Sequence, residues 1–449
     1  MIHRTKPLFA TAALHRVRSR SRAVGLLASS LCLALAGSLS PSPAFAADPA
    51  AGAHRPAPSD HIVLLALDGF DVEYLDKVPM PNLQHLLTRG TLTTSTGVMP
   101  SITNPSWSSI ATGAWPEAHQ NTAYWYNPAT GVAVGQQRDL AVPTIAQAIR
   151  AQGGTVLSSQ WFVVQNYGTA FGDPDGIYTQ PGGDCPRRVD DAVAVLGGKP
   201  VSSGGKLVTA PKIPDLIAVY CDVLDALGHA DGDIAPGIPD ALRQIDAQIG
   251  RLVDAVKDAD IYGRTTFVIT GDHGMSTFTQ GTDTAMLAAI AGAGYKAQIL
   301  NAGQSPAADT DAVIVIGGVG SLHLVGDAAN DPAAAERIKA ALLTLPHVRA
   351  VYDKDAQRAM HMSPKFGELV IEPESGWSLG ATPAGPRGVH GLTETLSVPL
   401  VLAGAGVRPN TPPQSPRHVD LAPTMAALLG IEPPSGSQGR VLTESIRVK

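Results

Sequence analysis

Residues 265–276 read TTFVITGDHGMS, and they join a strand signal to two side chains suited to chemistry. The first half is apolar and β-branched, which predicts a short buried strand. That strand runs into a glycine-flanked Asp272-His273 pair, which is therefore expected at the carboxyl end of a sheet, where open α/β folds place ligands. An adjacent carboxylate and imidazole suit Zn²⁺ or a similar divalent ion, while an ordinary Asp–His hydrogen bond in a loop is the simpler alternative.

Two other apolar runs end in similar side chains. Residues 62–67 form a continuous apolar run, as expected of a parallel strand buried on both faces, and Asp68 follows it directly. Residues 217–221 are also apolar and lead to Asp225 and His229, whose spacing of four lets one helical turn direct both side chains to one centre. A turn-orienting or capping role is the alternative for Asp68.

Thr103 and His390 lie in two further motifs. Residues 99–113 read MPSITNPSWSSIATG, which predicts a helix that starts near Thr103 and ends at Gly113. The free N–H groups at a helix N-terminus favour an anion and a partly ionised hydroxyl there, although plain N-capping explains a threonine equally simply. His390 stands between glycines in GVHG, residues 388–391.

The N-terminus is typical of an export signal. Basic residues precede an apolar run over 23–39, and Ala44-Phe45-Ala46 gives a small-x-small cleavage pattern. We predict a signal peptide over 1–46 cut after Ala46, with a retained membrane anchor as the alternative, and an Ala/Pro-rich linker over 47–60. The protein that remains is expected to be secreted or periplasmic and to have no membrane-spanning segment.

The charge and the cysteine content of the sequence limit the kinds of function that are expected. Removal of residues 1–46 takes away six basic and no acidic residues, which leaves 27 basic residues against 39 acidic ones and a net charge of −12. Nonspecific nucleic-acid binding is therefore not expected, and a phosphate-bearing substrate must be attracted by bound metal. Cys185 and Cys221 are the two cysteines outside the signal; they can form one disulfide or stay free.

The chain is long enough, at 449 residues with 44% hydrophobic, for one large domain with an insertion. We predict a catalytic core over 61–276 and 363–449, with a strand at 368–371 that returns to the core. Residues 277–362 contain Ala-rich helical runs together with strand signals, which predicts a small α+β cap over the sheet edge. The Gly/Pro-rich stretch 168–211 predicts a surface excursion.

Together these motifs supply three carboxylates, three imidazoles and one hydroxyl: Asp68, Thr103, Asp225, His229, Asp272, His273 and His390. This set is sufficient for two four-coordinate metal ions with open positions. Two ions about 3.5–4 Å apart can assist an in-line displacement at phosphorus. The set therefore predicts phosphoryl-transfer chemistry.

The order of these motifs resembles the type I phosphodiesterase/nucleotide pyrophosphatase family of the alkaline phosphatase superfamily. The resemblance runs from Ile62 to the segment 419–424. It implies an alkaline-phosphatase-like α/β core, a mostly parallel sheet sandwiched by helices, with two Zn²⁺ ions or other divalent ions. One ion would be held by Asp225, His229 and His390, and the other by Asp68, Asp272, His273 and Thr103. Thr103 would be the nucleophile and would form a covalent phosphothreonine.

Some positions depart from the family. Many members have Phe after the nucleophile, where this chain has Asn104, and the family's phosphate-binding Asn is best matched by Asn121. Tyr124 is a further candidate for the substrate pocket. The Thr103-Asn104-Pro105 string also resembles phosphonoacetate hydrolases, which use the same two-zinc core on a C–P bond. We therefore predict an exported phosphoric ester hydrolase acting on a small phosphate-containing substrate, with a phosphonate hydrolase and a catalytically silent binding protein as alternatives.

Overall fold

The computed structural model describes residues 57–447. The predicted signal segment 1–46 and linker residues 47–56 lie outside the described residues. No helix between residues 57 and 447 is both long enough and apolar enough to cross a bilayer.

Strands and helices are interspersed along the whole of this range. The strands are β1 (His61–Leu67), β2 (Gly90–Thr96), β3 (Trp125–Asn127), β4 (Val132–Val134), β5 (Val156–Ser159), β6 (Gly176–Thr179), β7 (Val201–Ser203), β8 (Lys206–Val208), β9 (Leu216–Cys221), β10 (Thr265–Gly271), β11 (Ser276–Phe278), β12 (Gln280–Gly281), β13 (Ala297–Ile299), β14 (Ala312–Gly317), β15 (Val319–Leu324), β16 (Val348–Tyr352), β17 (Leu369–Pro373), β18 (Trp377–Ser378), β19 (Arg387–Val389) and β20 (Ser397–Gly404). The α-helices are α1 (Pro81–Leu87), α2 (Thr103–Thr112), α3 (Pro116–His119), α4 (Ile145–Ala151), α5 (Cys185–Leu196), α6 (Val223–Asp231), α7 (Ile238–Asp258), α8 (Asp283–Gly292), α9 (Ala334–Leu342), α10 (Lys354–Ala359) and α11 (Leu421–Leu429).

A seven-stranded sheet in the order β2-β20-β10-β1-β9-β5-β6 forms the centre of the fold. Strands β10, β1, β9, β5 and β6 pair in parallel, and only β20 runs antiparallel to its two neighbours. The predicted mostly parallel sheet is confirmed. Because parallel strands share one direction, the residues that follow β1, β9 and β10 meet at a single edge.

Both faces of this sheet are covered by helices. Alternate residues of β1 face opposite sides, so that Val63 and Leu65 pack with α1, α5 and α7, while Ile62 and Leu64 pack with α2, α4 and α11. A strand buried on both faces needs an apolar residue at every position, which explains why β1 and β9 lack hydrophobic alternation. The predicted sandwich of helices is therefore confirmed.

A second sheet of five strands, in the order β13-β14-β15-β17-β16, lies within the stretch predicted as the α+β cap and just beyond it. Helices α8 and α9 pack against it and form a separate small core. The strand expected to return to the main core at 368–371 is β17, and it pairs with β15 and β16 of this smaller sheet instead. Its apolar sequence fits either sheet, and only long-range pairing decides between them. The domain boundaries stay a prediction.

The interpretation of 168–211 as a surface excursion is wrong. This stretch contributes β6, the edge strand of the main sheet, and α5, whose buried side chains join the main core. Apolar residues do recur along α5 at helical spacing, at Val189, Ala192, Val195 and Leu196. The flanking glycines and prolines, together with the four-residue length of β6, obscured that pattern.

A disulfide joins Cys185, the first residue of α5, to Cys221, the last residue of β9. Both residues are buried, and their Cα atoms lie 4.8 Å apart. The bond attaches α5 to the strand that leads to Asp225. Of the two alternatives left open by the sequence, a disulfide or two free cysteines, the structure contains the disulfide.

Removal of this disulfide is expected to lower the free energy of unfolding by about 4 kcal/mol, because a cross-link spanning 36 residues restricts the unfolded chain. The measurement is denaturant unfolding of the Cys185→Ser/Cys221→Ser double variant against wild type. A thiol reductant should destabilise wild type and leave the double variant unchanged. Equal stability of the two proteins under oxidising conditions would contradict this prediction.

Candidate metal centre and active site

Asp68, Asp272 and His273 are brought together by the pairing of β1 with β10. Leu67 is in register with Gly271, so the residues that follow the two strands emerge side by side. Asp68 is 2% exposed, and Asp272 and His273 are fully buried. The backbone N–H of Gly69 donates to Asp272 Oδ1 at 3.1 Å, which fixes one carboxylate oxygen and leaves the other directed to the site.

Helix α6 adds Asp225 and His229 from the end of β9. The helix approaches closely because Gly69 lacks a side chain: a Cβ at that position would lie 2.9 Å from Asp225 Cα. Gly69 also has φ of +69°, a conformation that glycine adopts without strain. Any larger residue would displace α6, and with it Asp225.

The three predicted imidazoles are held in the same way. Each directs Nδ1 to a backbone carbonyl oxygen: His229 to Gly388 at 3.3 Å, His273 to Gly274 at 2.9 Å and His390 to Ser101 at 3.1 Å. A carbonyl only accepts, so Nδ1 donates in each ring. Each Nε2 therefore faces the carboxylates and, when the ring is neutral, offers its lone pair to a metal, as in protein sites where histidine binds a metal through Nε2.

The ligand atoms form two overlapping groups. Asp225, His229 and His390 form one group, and Asp68, Asp225 and His273 form the other, with all ligand atoms of a group within 4.8 Å of one another. Asp225 Oδ1 belongs to both, since it lies 3.4 Å from His229 Nε2, 3.6 Å from His390 Nε2 and 4.0 Å from His273 Nε2. Asp272 Oδ2 lies 3.4 Å from His273 Nε2. The six carboxylates and imidazoles among the predicted ligands thus converge, and their division between two ions stays a prediction.

The donor set fits bound cations. Three buried carboxylate oxygens, Asp68 Oδ1, Asp225 Oδ1 and Asp272 Oδ2, have no hydrogen-bond partner. A buried anionic oxygen without a partner is costly, and a divalent cation removes that cost. The Nε2 atoms of His229 and His390 lie 3.2 Å apart, where two lone pairs repel unless a cation or a proton lies between them. Nitrogen and carboxylate donors together are typical of zinc.

Burial and crowding of like charges shift the pKa values of these groups. Burial, followed by the Asp68 carboxylate, raises the pKa of Asp225 to about 6. The same two causes raise the pKa of Asp272 well above its ordinary value. Burial and the neighbouring His273 lower the pKa of His390 well below its ordinary value. The arrangement therefore disfavours the charged form of several of its own side chains, as expected of a site built around added positive charge.

Thr103 is the first residue of α2, and its hydroxyl faces this cluster. Thr103 Oγ1 lies 3.3 Å from His273 Nε2, and the residue is 9% exposed. No side chain caps this helix, so its N-terminal N–H groups remain directed to the space beside Thr103. The predicted position of Thr103 at a helix N-terminus is confirmed, and the residue does not serve as a side-chain N-cap.

The predicted substrate-binding residues have different locations. Asn104 lines a cavity of about 540 Å³ beside Thr103 and Asp68. Tyr124 lines a smaller cavity of about 210 Å³ beside His229 and His390, where its ring contacts the Gly317 end of β14 in the small sheet. One end of the predicted cap therefore contributes to the site.

Asn121 lines neither of these two cavities. It is 1% exposed, and its Nδ2 donates to Ser108 Oγ of α2 at 2.7 Å, on the side of the helix that faces the protein interior. The role of Asn121 as a substrate contact therefore stays a prediction.

Two residues that position the candidate ligands could not be identified from the sequence. The Tyr220 hydroxyl donates to Asp68 Oδ2, and Asp71 Oδ2 accepts from the backbone N–H of Met275 at 3.0 Å, next to the Asp272-His273 turn. Tyr220 lies inside an apolar strand, which is where a tyrosine is expected for packing alone. Asp71 lies 204 residues from its partner. No local pattern indicates either contact.

Within residues 57–447, three buried histidines lie outside the candidate metal cluster and stay neutral near pH 7. Burial lowers the pKa of His119, His323 and His418 to about 3 in each case. By contrast, His85 is exposed on α1. His119 Nε2 lies 3.0 Å from Ser109 Oγ, and its Nδ1 accepts from the N–H of Asn121 at 3.1 Å.

These histidines are expected to make the protein less stable in mild acid. The unfolded chain binds each proton near pH 6.5, whereas the folded chain does not until about pH 3, so the free energy of unfolding falls as pH drops below 6.5. Each histidine contributes about 1.4 kcal/mol per pH unit. The cost of His119→Gln should therefore be smaller at pH 5 than at pH 8 by about 2 kcal/mol in denaturant unfolding. His85→Gln is the matched control for loss of an imidazole at an exposed position.

Comparison with known proteins places this arrangement in one family. The model of the type I phosphodiesterase / nucleotide pyrophosphatase family matches residues 62–393. Ectonucleotide pyrophosphatase/phosphodiesterase family member 3 of Bos taurus is 24% identical over 229 residues, which is 48% of this chain and 25% of that protein. Bis(5'-adenosyl)-triphosphatase enpp4 of Xenopus laevis is 26% identical over 225 residues, which is 48% of this chain and 47% of that protein. The match thus takes in between a quarter and a half of the length of these relatives.

Solved structures share the fold. Human ectonucleotide pyrophosphatase / phosphodiesterase 5 superposes with a TM-score of 0.65 at 18% identity, over 86% of this chain and 99% of that one. The murine protein, in an inactive threonine-to-alanine form in complex with AMP, gives a TM-score of 0.64 at 17% identity, over 84% of this chain and 97% of that one. With a family model that spans the whole run from β1 to the residues just after His390, this chain belongs to the type I phosphodiesterase / nucleotide pyrophosphatase family.

Proposed function

We propose that this protein is a metal-dependent hydrolase of small phosphoric esters, with Thr103 as its nucleophile. The observation that carries the proposal is the convergence of three imidazole Nε2 atoms and three carboxylates on one threonine hydroxyl at a helix N-terminus. Membership of the family and the diesterase and triphosphatase names of the relatives support the same reaction class.

Two divalent ions, zinc by the chemistry of the donors, would be held by Asp68, Asp225, His229, Asp272, His273 and His390. The three carboxylate oxygens that lack hydrogen-bond partners support this set. When bound, such ions stabilise negative charge on the reacting oxygens of a phosphoryl group. The Nδ1 hydrogen bonds to backbone carbonyls hold each imidazole in the tautomer and orientation that a ligand requires.

In the proposed reaction, Thr103 Oγ1 attacks phosphorus and loses its proton to solvent. A bond forms between Oγ1 and phosphorus as the ester oxygen leaves with the electron pair of the broken P–O bond and takes up a proton. Water then attacks the phosphothreonine, which releases phosphate or a phosphomonoester and restores the hydroxyl. The N-terminus of α2 supports the negative charge on the phosphoryl oxygens during both steps.

The direct test is hydrolysis of bis(p-nitrophenyl) phosphate and p-nitrophenyl phosphate by the purified protein. Turnover is expected to require metal: a chelator should abolish it and added zinc should restore it, with about two ions per chain at full activity. Absence of turnover with both esters at full zinc occupancy would contradict the proposal. If phosphonoacetate is not hydrolysed either, that result would favour a catalytically silent binding protein on the same fold.

A phosphonate hydrolase is the second candidate, and Asn104 is the observation that favours it. Asn104 lines the cavity of about 540 Å³ beside Thr103, and its Nδ2 donates to the backbone carbonyl of Gln137. The cavity therefore presents an amide where a stacking aromatic ring would suit a nucleobase. Release of phosphate from phosphonoacetate, without hydrolysis of the two p-nitrophenyl esters, would select this candidate.

We also propose that the protein is exported. The buried disulfide between Cys185 and Cys221 supports this location, because such bonds persist in oxidising compartments. The N-terminal sequence of protein recovered outside the cytoplasm is expected to begin at Ala47. Recovery of a protein with residues 1–46 still attached would indicate the membrane-anchor alternative.

A further inference from the structure

The cavity of about 540 Å³ extends the site well beyond the candidate metal ligands. Its lining includes Thr103, Asp68 and Asp225, and also Gln136, Arg138, Gln160 and Gln180. A phosphoryl group held at Thr103 fills only a small part of this volume. The remainder can hold an organic substituent of the substrate, within the size range usual for small-molecule sites.

Arg138 is the one cationic residue among those that line this cavity. Its guanidinium lies 4.9 Å from the centroid of the Phe162 ring, and its Nη1 donates to Gln165 Oε1 at 3.2 Å. Within residues 57–447, no carboxylate lies within ion-pairing distance of Arg138, whereas Arg188 near the same cavity is paired with Asp222 at 3.0 Å. Most of the five N–H donors of Arg138 thus remain available to a ligand.

The Phe162 ring holds the guanidinium at the cavity. A cation over an aromatic face is attracted by the ring, and the hydrogen bond to Gln165 restricts the plane of the guanidinium. Phe162 itself is 9% exposed and packs in the main core, so this support is rigid. A guanidinium held in this way is arranged to bind a carboxylate or phosphoryl group through two parallel hydrogen bonds.

Gln160 gives a second indication that the cavity binds a polar group. It directly follows β5 and has φ of +61°, a left-handed conformation that is uncommon for residues other than glycine. Its Oε1 is buried and has no hydrogen-bond partner. Strain and an unpartnered acceptor in the same cavity residue are typical of a ligand-binding position.

We propose that Arg138 binds a second anionic group on the substrate, at the opposite end of the molecule from the phosphoryl group that Thr103 attacks. This inference rests on the proposed function and names its substrate class: small phosphoric or phosphonic compounds that carry an additional carboxylate or phosphoryl group. Gln160 Oε1 is an acceptor, so it would contact an N–H or O–H donor elsewhere on the substrate rather than the anionic group itself. Arg138 is the specificity-determining residue for this class.

The test uses substrates that differ only in that second charge. The p-nitrophenyl diesters of 3- and 4-carboxyphenyl phosphate are compared with their carboxamide counterparts, which match them in shape and leaving group, and with 3- and 4-phosphonophenyl diesters. Wild type is expected to hydrolyse at least one acid with kcat/KM roughly 10-fold above that of its amide, as charge-assisted pairing predicts. A preference for the carboxylate or for the phosphonate identifies which anion the site receives.

Arg138→Gln is expected to reduce the acid-to-amide ratio to about one, and Arg138→Lys is expected to keep part of it. Arg89→Gln is the matched control, because Arg89 also lies over an aromatic ring, that of Tyr262 at 4.7 Å, but does not line the cavity. The control should retain the wild-type ratio. A wild-type ratio near one for every pair, or a ratio that survives Arg138→Gln, overturns the proposal.

Binding separates this inference from the proposed reaction. The zinc-loaded protein is titrated calorimetrically with 3- and 4-carboxyphenylphosphonate and with the matching carboxamides, none of which needs to react. The affinity ratio of acid to amide is expected to be roughly 10 in wild type and about one in Arg138→Gln. If the acids bind more tightly than the amides but no ester is hydrolysed, the proposed hydrolase activity is refuted and the anion site at Arg138 is supported. If esters are hydrolysed but acids and amides bind with equal affinity, the hydrolase activity is supported and the anion site is refuted.

Discussion

Replacing Thr103 with alanine is expected to abolish turnover of p-nitrophenyl esters, with kcat falling by at least about 1,000-fold. Thr103 Oγ1 is the hydroxyl that faces the cluster of imidazoles and carboxylates, at 3.3 Å from His273 Nε2. Loss of the attacking oxygen removes the covalent step. Initial rates with bis(p-nitrophenyl) phosphate at saturating zinc measure the effect.

Metal content distinguishes loss of the nucleophile from loss of the whole site. The Thr103→Ala variant should keep most of its zinc, because the three histidines and three carboxylates remain in place. Thr103→Ser is the matched control, since it preserves a hydroxyl and should retain measurable activity. Activity of Thr103→Ala comparable to that of wild type would refute the nucleophile assignment, and loss of metal from both variants would give Thr103 a mainly structural role.

Replacing Asp225 with asparagine is expected to reduce both the zinc content and the activity, with kcat/KM lower by at least about 100-fold. Asp225 Oδ1 belongs to both groups of ligand atoms, so loss of its charge weakens both candidate ion sites at once. Asparagine preserves the shape of the side chain. Elemental analysis after exhaustive dialysis, together with titration of activity by added zinc, measures the loss.

Asp231→Asn supplies the control for this prediction. Asp231 lies on the same helix α6, is exposed and belongs to neither group of ligand atoms. Its replacement changes the net charge of the helix by the same amount and should leave the zinc content and activity at the wild-type level. If Asp225→Asn and Asp231→Asn bound equal amounts of zinc, the convergence of side chains around Asp225 would not be a metal site.

The small cavity beside Tyr124 shows how the site depends on two separate sheets. Tyr124 has φ of +58°, and its ring contacts Gly317 at the end of β14. His229 and His390 line the same cavity from α6 and from the loop after β19. Residues from four distant parts of the chain therefore enclose one space of about 210 Å³. None of these contacts lies within the reach of a local sequence pattern.

The main strands and the cluster of six candidate ligands around Thr103 could be predicted because their signals are local. A strand buried on both faces must be apolar throughout, and the polar residue that follows it must lie at the carboxyl edge of the sheet. The sequence alone therefore predicts that Asp68 and Asp272 lie at this edge. The spacing of four between Asp225 and His229 likewise follows from helical geometry alone. Local rules of this kind do not depend on which elements are neighbours.

Features that depend on long-range pairing were decided only by the tertiary structure. Strand β17 has a sequence that suits either sheet, and its hydrogen bonds to β15 and β16 assign it to the small one. Strand β6 joins the main sheet by pairing with β5, and the disulfide between Cys185 and Cys221 attaches helix α5 to β9. Arg138 is held at the cavity by its contact with the Phe162 ring. Backbone hydrogen bonding and apolar contact are indifferent to sequence separation. The chain by itself therefore determined which residues are candidates for the chemistry, and folding determined which of them share a space.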